Sequence, residues 1–394
     1  MKRSWNRRWL IGGIVSLVIP VGLLVLNSFS RPEPAYQGKP LTAWAPALSS
    51  PDALVRSNAT EALRQMGPEA VPFLVVALGK RDPIPKRTYL SLAHKLPAGL
   101  RRTISRVFGP FNTVNDRLAA VQALGVLGTI APVTPLVKAL RDPDRQVSSS
   151  AVTALSAIGR PAVPALVESL EDRDGYARSM ACYVLSLIGP QASEAVPALI
   201  RRFTDPETNV PSQAASALGR IGRSALPPLL EALRSPDERT RSMAAKAIGG
   251  LGPPAKESVP ALIAATKDPS AVVRQNAVET LANVWAYLPE TVAALTEALN
   301  DTDGNVRLKA LLGLAKTGRR AEPAVPVLVK RLDDERWEIR AGAAQVLGQI
   351  GPAAKSAVPK LRERSNDQSL SVRANAEEAV QKIAAASAPH IKSE

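Results

Sequence analysis

An all-α fold is predicted: an α-solenoid of about ten antiparallel helix pairs behind one N-terminal transmembrane helix. Three features of the sequence point to it. An arginine-led frame recurs along most of the chain, and its last five intervals are 30, 33, 33, 33 and 33 residues, the period range of stacked helical repeats. Apolar residues make up 45% of the chain and aromatics only 4%, a composition that favours close-packed helices over sheets. The chain also opens on a long uncharged apolar run.

That opening is "MKRSWNRRWLIGGIVSLVIPVGLLVLNSFSR". Residues 1–8 form a basic N-terminus that stays cytoplasmic by the positive-inside rule, and 9–30 form a transmembrane anchor or a signal peptide. Trp9 to Leu26 is strongly apolar, and eighteen helical residues span roughly 27 Å, close to the hydrocarbon thickness of a bilayer. Ser28 and Ser30 form a small-x-small site before Arg31 that suits cleavage. Either way the bulk of the chain is expected outside the cytoplasm, membrane-anchored if the segment is kept and secreted if it is cut.

Residues 31–40, with Pro32, Pro34 and Pro40, suggest an extended linker. A short helix from about Leu41 to Leu48, with Trp44 as its large apolar contact, is expected to cap the array. The repeats run from 41 to 384, and residues 385–394 form a flexible tail.

Within the repeats the anchor positions are Arg56, Arg117, Ser148, Arg178, Pro211, Arg241, Arg274, Arg307, Arg340 and Arg373. Three residues on stands alanine every time, and seven on stands Leu, Ile or Val. Offsets 3, 7 and 10 fall on one stripe of a helix, and a small residue at offset 3 lets a neighbouring helix come close. Eleven on stands glycine in eight repeats, from Gly67 to Gly351, a helix stop. A second apolar segment follows, usually opening Val-Pro. Pro72, Pro164, Pro197, Pro260 and Pro326 sit where a helix has N–H groups to spare, so they start helices. The 30- and 33-residue repeats differ in the turn between the two helices.

The frame "D-P-D-x-x-V-R-x-x-A-x-x-A-L-x-x-I-G" resembles the HEAT-repeat family, in particular its bacterial HEAT-like subgroup shared with phycobilisome-lyase-type proteins. With the apolar N-terminus, the resemblance suggests a membrane-anchored HEAT repeat domain-containing protein. It implies ladders between a turn aspartate and the arginine opening the next helix. Asp142, Asp172, Asp205, Asp268, Asp301, Asp334 and Asp367 each precede an anchor position by six residues. The eight arginines at the anchor position, Arg56, Arg117, Arg178, Arg241, Arg274, Arg307, Arg340 and Arg373, are on this view structural, with Asp268, Asp301, Asp334 and Asp367 among their acids. Ser148 and Pro211 depart from the pattern.

Between Arg56 and Arg117 there is about one repeat too many. The stretch 83–112 carries six basic residues (Lys86, Arg87, Lys95, Arg101, Arg102, Arg106) and no acidic one, with Tyr89, Phe108 and Phe111. It is either a degenerate repeat or a docking surface for an anionic membrane or polyanion, with Lys86, Arg87, Arg101, Arg102 and Arg106 as contacts. The formal charge of +15 falls to 15 − 5 = +10 once residues 1–31 are set aside. Such a balance favours anionic partners; nucleic acid is not expected for an exported chain.

Catalysis finds no constellation. The two histidines, His94 and His390, stand far apart and neither is followed by Glu, unlike the His-Glu pairs of HEAT-like hydroxylases. No catalytic residue, cofactor or metal is therefore expected. One cysteine, Cys182, excludes an intramolecular disulfide. Offsets 2, 5 and 9 of the arginine-led helices should line a concave face. There Met180, Tyr183, Leu187 and Met243, with Lys246 beside them, form a mildly apolar candidate patch for a protein or peptide. The function expected is a membrane-tethered, non-enzymatic interaction scaffold. The alternatives are an accessory subunit or lyase-like HEAT protein supporting an enzyme, or an anionic-membrane binder.

Overall fold

The computed structural model describes residues 32–80 and 113–385. They form two compact units that divide between Pro135 and Leu136. The apolar segment 9–30, the basic stretch 83–112 and the tail beyond 385 lie outside the described residues. Among the described residues, no single helix is long and apolar enough to cross a membrane.

The N-terminal unit begins with a hairpin where an extended linker was expected. Strands β1 (Ala35–Tyr36) and β2 (Lys39–Pro40) pair antiparallel. Gln37 and Gly38 take φ of 50° and 73°, the left-handed pair that a two-residue hairpin turn requires. Trp44 gives the strands an anchor: its ring lies 6.4 Å from Tyr36, Lys39 Nζ stands 5.0 Å over it, and Nε1 donates to the Tyr36 carbonyl at 3.1 Å. Helix α1 (Leu41–Trp44) is a single turn that tightens into a 3-10 segment, Ala45–Ser49, at Pro46, whose missing N–H removes an α-helical bond. This segment packs on α2 (Ala53–Met66) and α4 (Thr113–Leu127), and α3 (Val71–Gly79) packs on α4. Helix α5 (Val133–Ala139) crosses the boundary between the units.

The C-terminal unit repeats one pair of helices. The first helices of the pairs are α6 (Arg145–Ile158), α8 (Gly175–Ile188), α10 (Asn209–Ile221), α12 (Glu238–Leu251), α14 (Ala271–Val284), α16 (Gly304–Ala315), α18 (Trp337–Ile350) and α20 (Leu370–Ala385). Between them lie the shorter α7 (Val163–Ser169), α9 (Val196–Arg201), α11 (Leu226–Ala232), α13 (Val259–Ala265), α15 (Pro289–Ala298), α17 (Val325–Arg331) and α19 (Val358–Arg364). Each first helix packs on the next first helix along this unit. The offset-3 alanines, Ala151 through Ala376, are all 0% exposed, so adjacent backbones close on a methyl group rather than a branched side chain.

Local chemistry sets the ends. All eight repeat glycines have positive φ, from 52° at Gly67 to 85° at Gly222, a conformation that penalises any Cβ. The turn behind Gly159 is a three-residue 3-10 segment and that at Gly189 a seven-residue one, which accounts for the 30- and 33-residue repeats. Repeat seven has Trp285 in place of the glycine. Its φ is −127°, its side chain is fully buried, and α15 starts at Pro289 without a 3-10 segment.

The recurring arginines tie successive repeats together. Arg178 Nη2 donates to Asp205 Oδ1 at 2.6 Å, Arg241 Nε to Asp268 at 2.7 Å, Arg274 Nε to Asp301 at 2.7 Å, Arg307 Nη2 to Asp334 at 3.0 Å, and Arg340 Nη2 to Asp367 at 2.8 Å. Each Nη1 also donates to carbonyls at the start of its own helix, as Arg307 does to Asp301 and Thr302. Arg56 and Arg373 make that second contact, and Arg117 donates to Lys80 O and Thr113 Oγ1. Burial would push Asp205 up, but Arg178 and the Glu207 amide outweigh it and hold the carboxyl low.

Two rungs differ. Where Ser148 replaces the arginine, Asp172 is taken by Arg141 instead. Where Pro211 replaces it, the residue six before Arg241 is Ser235 rather than an aspartate, so both halves of that rung are missing together. Between α10 and α12 the backbones meet directly: a Cβ on Gly219 would stand 3.0 Å from Gly250 Cα.

Candidate interaction surface

The first helices bury offsets 3 and 7, which leaves offsets 2, 5 and 9 facing away from the second helices. On α8 these are Met180, half-buried, and Tyr183 and Leu187, each 42% exposed. On α12 they are Met243, half-buried, and the exposed Lys246. The two sets do not form one patch. Helix α10 lies between α8 and α12 and presents half-buried Gln213 and exposed Ser216 and Arg220. A polar helix therefore separates Tyr183 from Met243.

Met243 and Lys246 belong instead to a groove of about 440 Å³ shared with the next repeat. Its α12 wall adds Gly249, and its α14 wall carries Asn276, Glu279, Thr280, Asn283 and Val284. Gly249 keeps the floor low, since a Cβ there would meet Thr280 Oγ1 at 3.0 Å. Thr280 is fixed by donating to the Ala245 carbonyl at 2.9 Å, and Asn276 by donating to Ser242 Oγ at 2.8 Å. These two residues stitch the walls with bonds that cross from repeat to repeat.

Lys246 lines this groove, and two lysines of α16 bind residues of its α14 wall. Lys309 Nζ on α16 meets Glu279 Oε1 at 2.8 Å, and Lys316 Nζ reaches Asn283 Oδ1 at 2.6 Å. On the opposite wall Lys246 Nζ stands 3.4 Å from Ser212 Oγ. Leu312, between the two α16 lysines, is 52% exposed. Thr280, which lines the groove, and Leu312, exposed beside it, occupy positions that recur, and a recurring position carries no mark in the sequence of the one repeat where it borders a depression.

Chemically the groove offers ammonium and amide groups with apolar surface. Among the described residues no group of three or more His, Cys, Asp or Glu is placed to hold a metal ion. Cys182 lies buried in α8, where loss of solvent pushes its thiol up to about 12.

A family model for HEAT repeats matches residues 113–186, 163–237, 226–315 and 292–381. The chain belongs to the HEAT-repeat family. As a HEAT-repeat chain it is similar in structure to an engineered protein (21% identity, 87% of this chain and 98% of that one, TM-score 0.39) and to YibA of Escherichia coli (19%, 66% and 96%, TM-score 0.41). It is also similar to a Kap121p mutant (15%, 89% of this chain and 42% of that one, TM-score 0.52). The likeness to the Kap121p mutant, at 15% identity, speaks for the solenoid fold alone. A search of curated proteins returned no match.

Proposed function

We propose that this HEAT-repeat chain is a non-enzymatic interaction scaffold that binds a protein or peptide on the exposed face of its first helices. The observation that carries it is the groove between α12 and α14, about 440 Å³, lined by Lys246, with Lys309 and Lys316 of α16 bound to its Glu279 and Asn283. Stacked repeats spread such positions along an extended surface, which suits a partner more than a small substrate. The fold of Kap121p, at a TM-score of 0.52, supports the same architecture and no particular partner. The run from Trp9 to Leu26 supports tethering to a membrane with the repeats on its outer side.

Photo-crosslinking in cells from Leu312 and from Tyr183, with Lys330 on α17 as control, tests the face. A defined protein captured from Leu312 and absent at Lys330 is expected. Equal capture from all three positions, or from Lys330 alone, would move the surface elsewhere. Alkaline extraction tests the tether: the chain stays with membranes if residues 9–30 span them, and is released if that segment is cleaved.

The six cations and no acid within 83–112 support a second surface, for anionic lipid. Liposome binding insensitive to both anionic lipid content and salt would remove it.

A further inference from the structure

The lysines around the α12–α14 groove are not equivalent. Lys309 is neutralised by Glu279 at 2.8 Å. Lys246 and Lys316 instead rest against neutral acceptors, Ser212 Oγ at 3.4 Å and Asn283 Oδ1 at 2.6 Å. Elsewhere on this face the cation of α20, Lys382, is held by Glu378 at 2.7 Å. Among the described residues Lys246 and Lys316 thus have no carboxylate partner, beside a groove whose own carboxylate is already matched. Leu312, one turn before Lys316, adds an exposed apolar contact.

Neighbouring packed helices lie about 9 Å apart, which puts Lys246 on α12 and Lys316 on α16 roughly 18 Å apart, the span of about six extended residues. In an extended chain, residues six apart project to the same side. We infer that the groove takes an extended acidic segment of another protein, with carboxylates at Lys246 and Lys316 and an apolar side chain near Leu312, beside the second of them. This rests on the scaffold function proposed above and adds the chemistry of the partner. The chain itself does not supply the occupant: residues 83–112 hold six basic and no acidic side chains, and 386–394 hold one acid against one lysine. A bilayer surface rewards a flat cation cluster, whereas here Glu279, Asn276 and Asn283 interleave with the lysines.

The test is fluorescence anisotropy with the full chain and a labelled peptide of about eight residues, carrying Glu near both ends and Leu between. A Glu→Gln peptide and a Glu→Lys peptide serve as comparisons. The acidic peptide is expected to bind about tenfold tighter than the Gln peptide, and Lys246→Glu or Lys316→Glu to weaken it about tenfold each. Lys382→Glu should leave it unchanged, and circular dichroism of all three variants should match the parent. Equal binding of acidic and Gln peptides, or indifference to both lysine variants, overturns the inference. So does binding to phosphatidylglycerol vesicles, in place of the peptide, with the same lysine dependence. If Leu312 crosslinks a protein but the acidic peptide shows no preference, the scaffold stands and its acidic partner falls. Failure of both removes the face itself.

Discussion

Arg178 and Asp205 meet through two bonds, 2.7 Å and 2.6 Å, with their side chains only 9% and 1% exposed. Taking away the arginine leaves a buried carboxylate with only the Glu207 amide and Arg202 at 3.7 Å, a loss of about 3 kcal/mol, the low end for a broken buried pair. Arg178→Met is therefore expected to speed amide exchange in α8 and α10 ahead of the rest of the unit. Arg178→Met combined with Asp205→Leu should recover most of the loss, because no charge stays buried. Urea midpoints and hydrogen exchange read both outcomes.

Acid should loosen the rungs. The Arg340 guanidinium holds Asp367 at about 2, against an ordinary value of 3.8. The folded carboxyl lies below the unfolded one, so the stabilisation is complete above about pH 4 and is lost as the pH falls toward 2. The shift corresponds to about 2 kcal/mol at neutral pH. Melting temperature followed from pH 5 to pH 2 should show this limb, and Arg340→Met should flatten it.

Gly348 gives a test of close approach with the opposite local bias. Alanine is the better helix former by about 1 kcal/mol, yet a Cβ on Gly348 would stand 2.9 Å from Ala379 Cα. Backbone cannot swing aside as a side chain can, so Gly348→Ala is expected to destabilise α18–α20 by about 1–3 kcal/mol. A rise in thermal stability would mean the two helices can part freely.

Cys182 reports on opening. It is fully buried and its thiol sits at about 12, so folded protein at pH 8 should react with Ellman's reagent far more slowly than urea-unfolded protein. Arg178→Met, which weakens the same repeat, should raise that rate.

The repeating frame was legible because each of its positions answers one requirement. Ala310 is small where helices touch, Gly318 has the φ of 56° that ends a helix turn, and Arg307 meets the acid 27 residues on. What escaped was specific to one place. Gln37–Gly38 makes a hairpin that the surrounding prolines masked, and Trp285 ends α14 by filling space instead of by a left-handed turn. The apolar patch from Met180 to Met243 was drawn by offset alone. Offsets place a side chain on a helix face without saying which helix intervenes, and the polar α10 separates its halves. The groove depends on Gly249 being small beside Thr280, a coincidence of two repeats that no single repeat displays.

The joint between α10 and α12 lacks the buried arginine–aspartate rung: Gly219 and Gly250 stand close, and the ion pair across it, Arg223–Glu257 at 2.6 Å, is exposed. Its neighbours, α8 with α10 and α12 with α14, are clamped by Arg178–Asp205 and Arg241–Asp268. Acidity reaches the clamped joints through their buried aspartates, which have no counterpart at this one, whereas salt screens chiefly the exposed pair here. The unit therefore carries a graded elasticity: acid softens the clamped segments and passes the α10–α12 coupling by, so that its stiffness is written unevenly along its length.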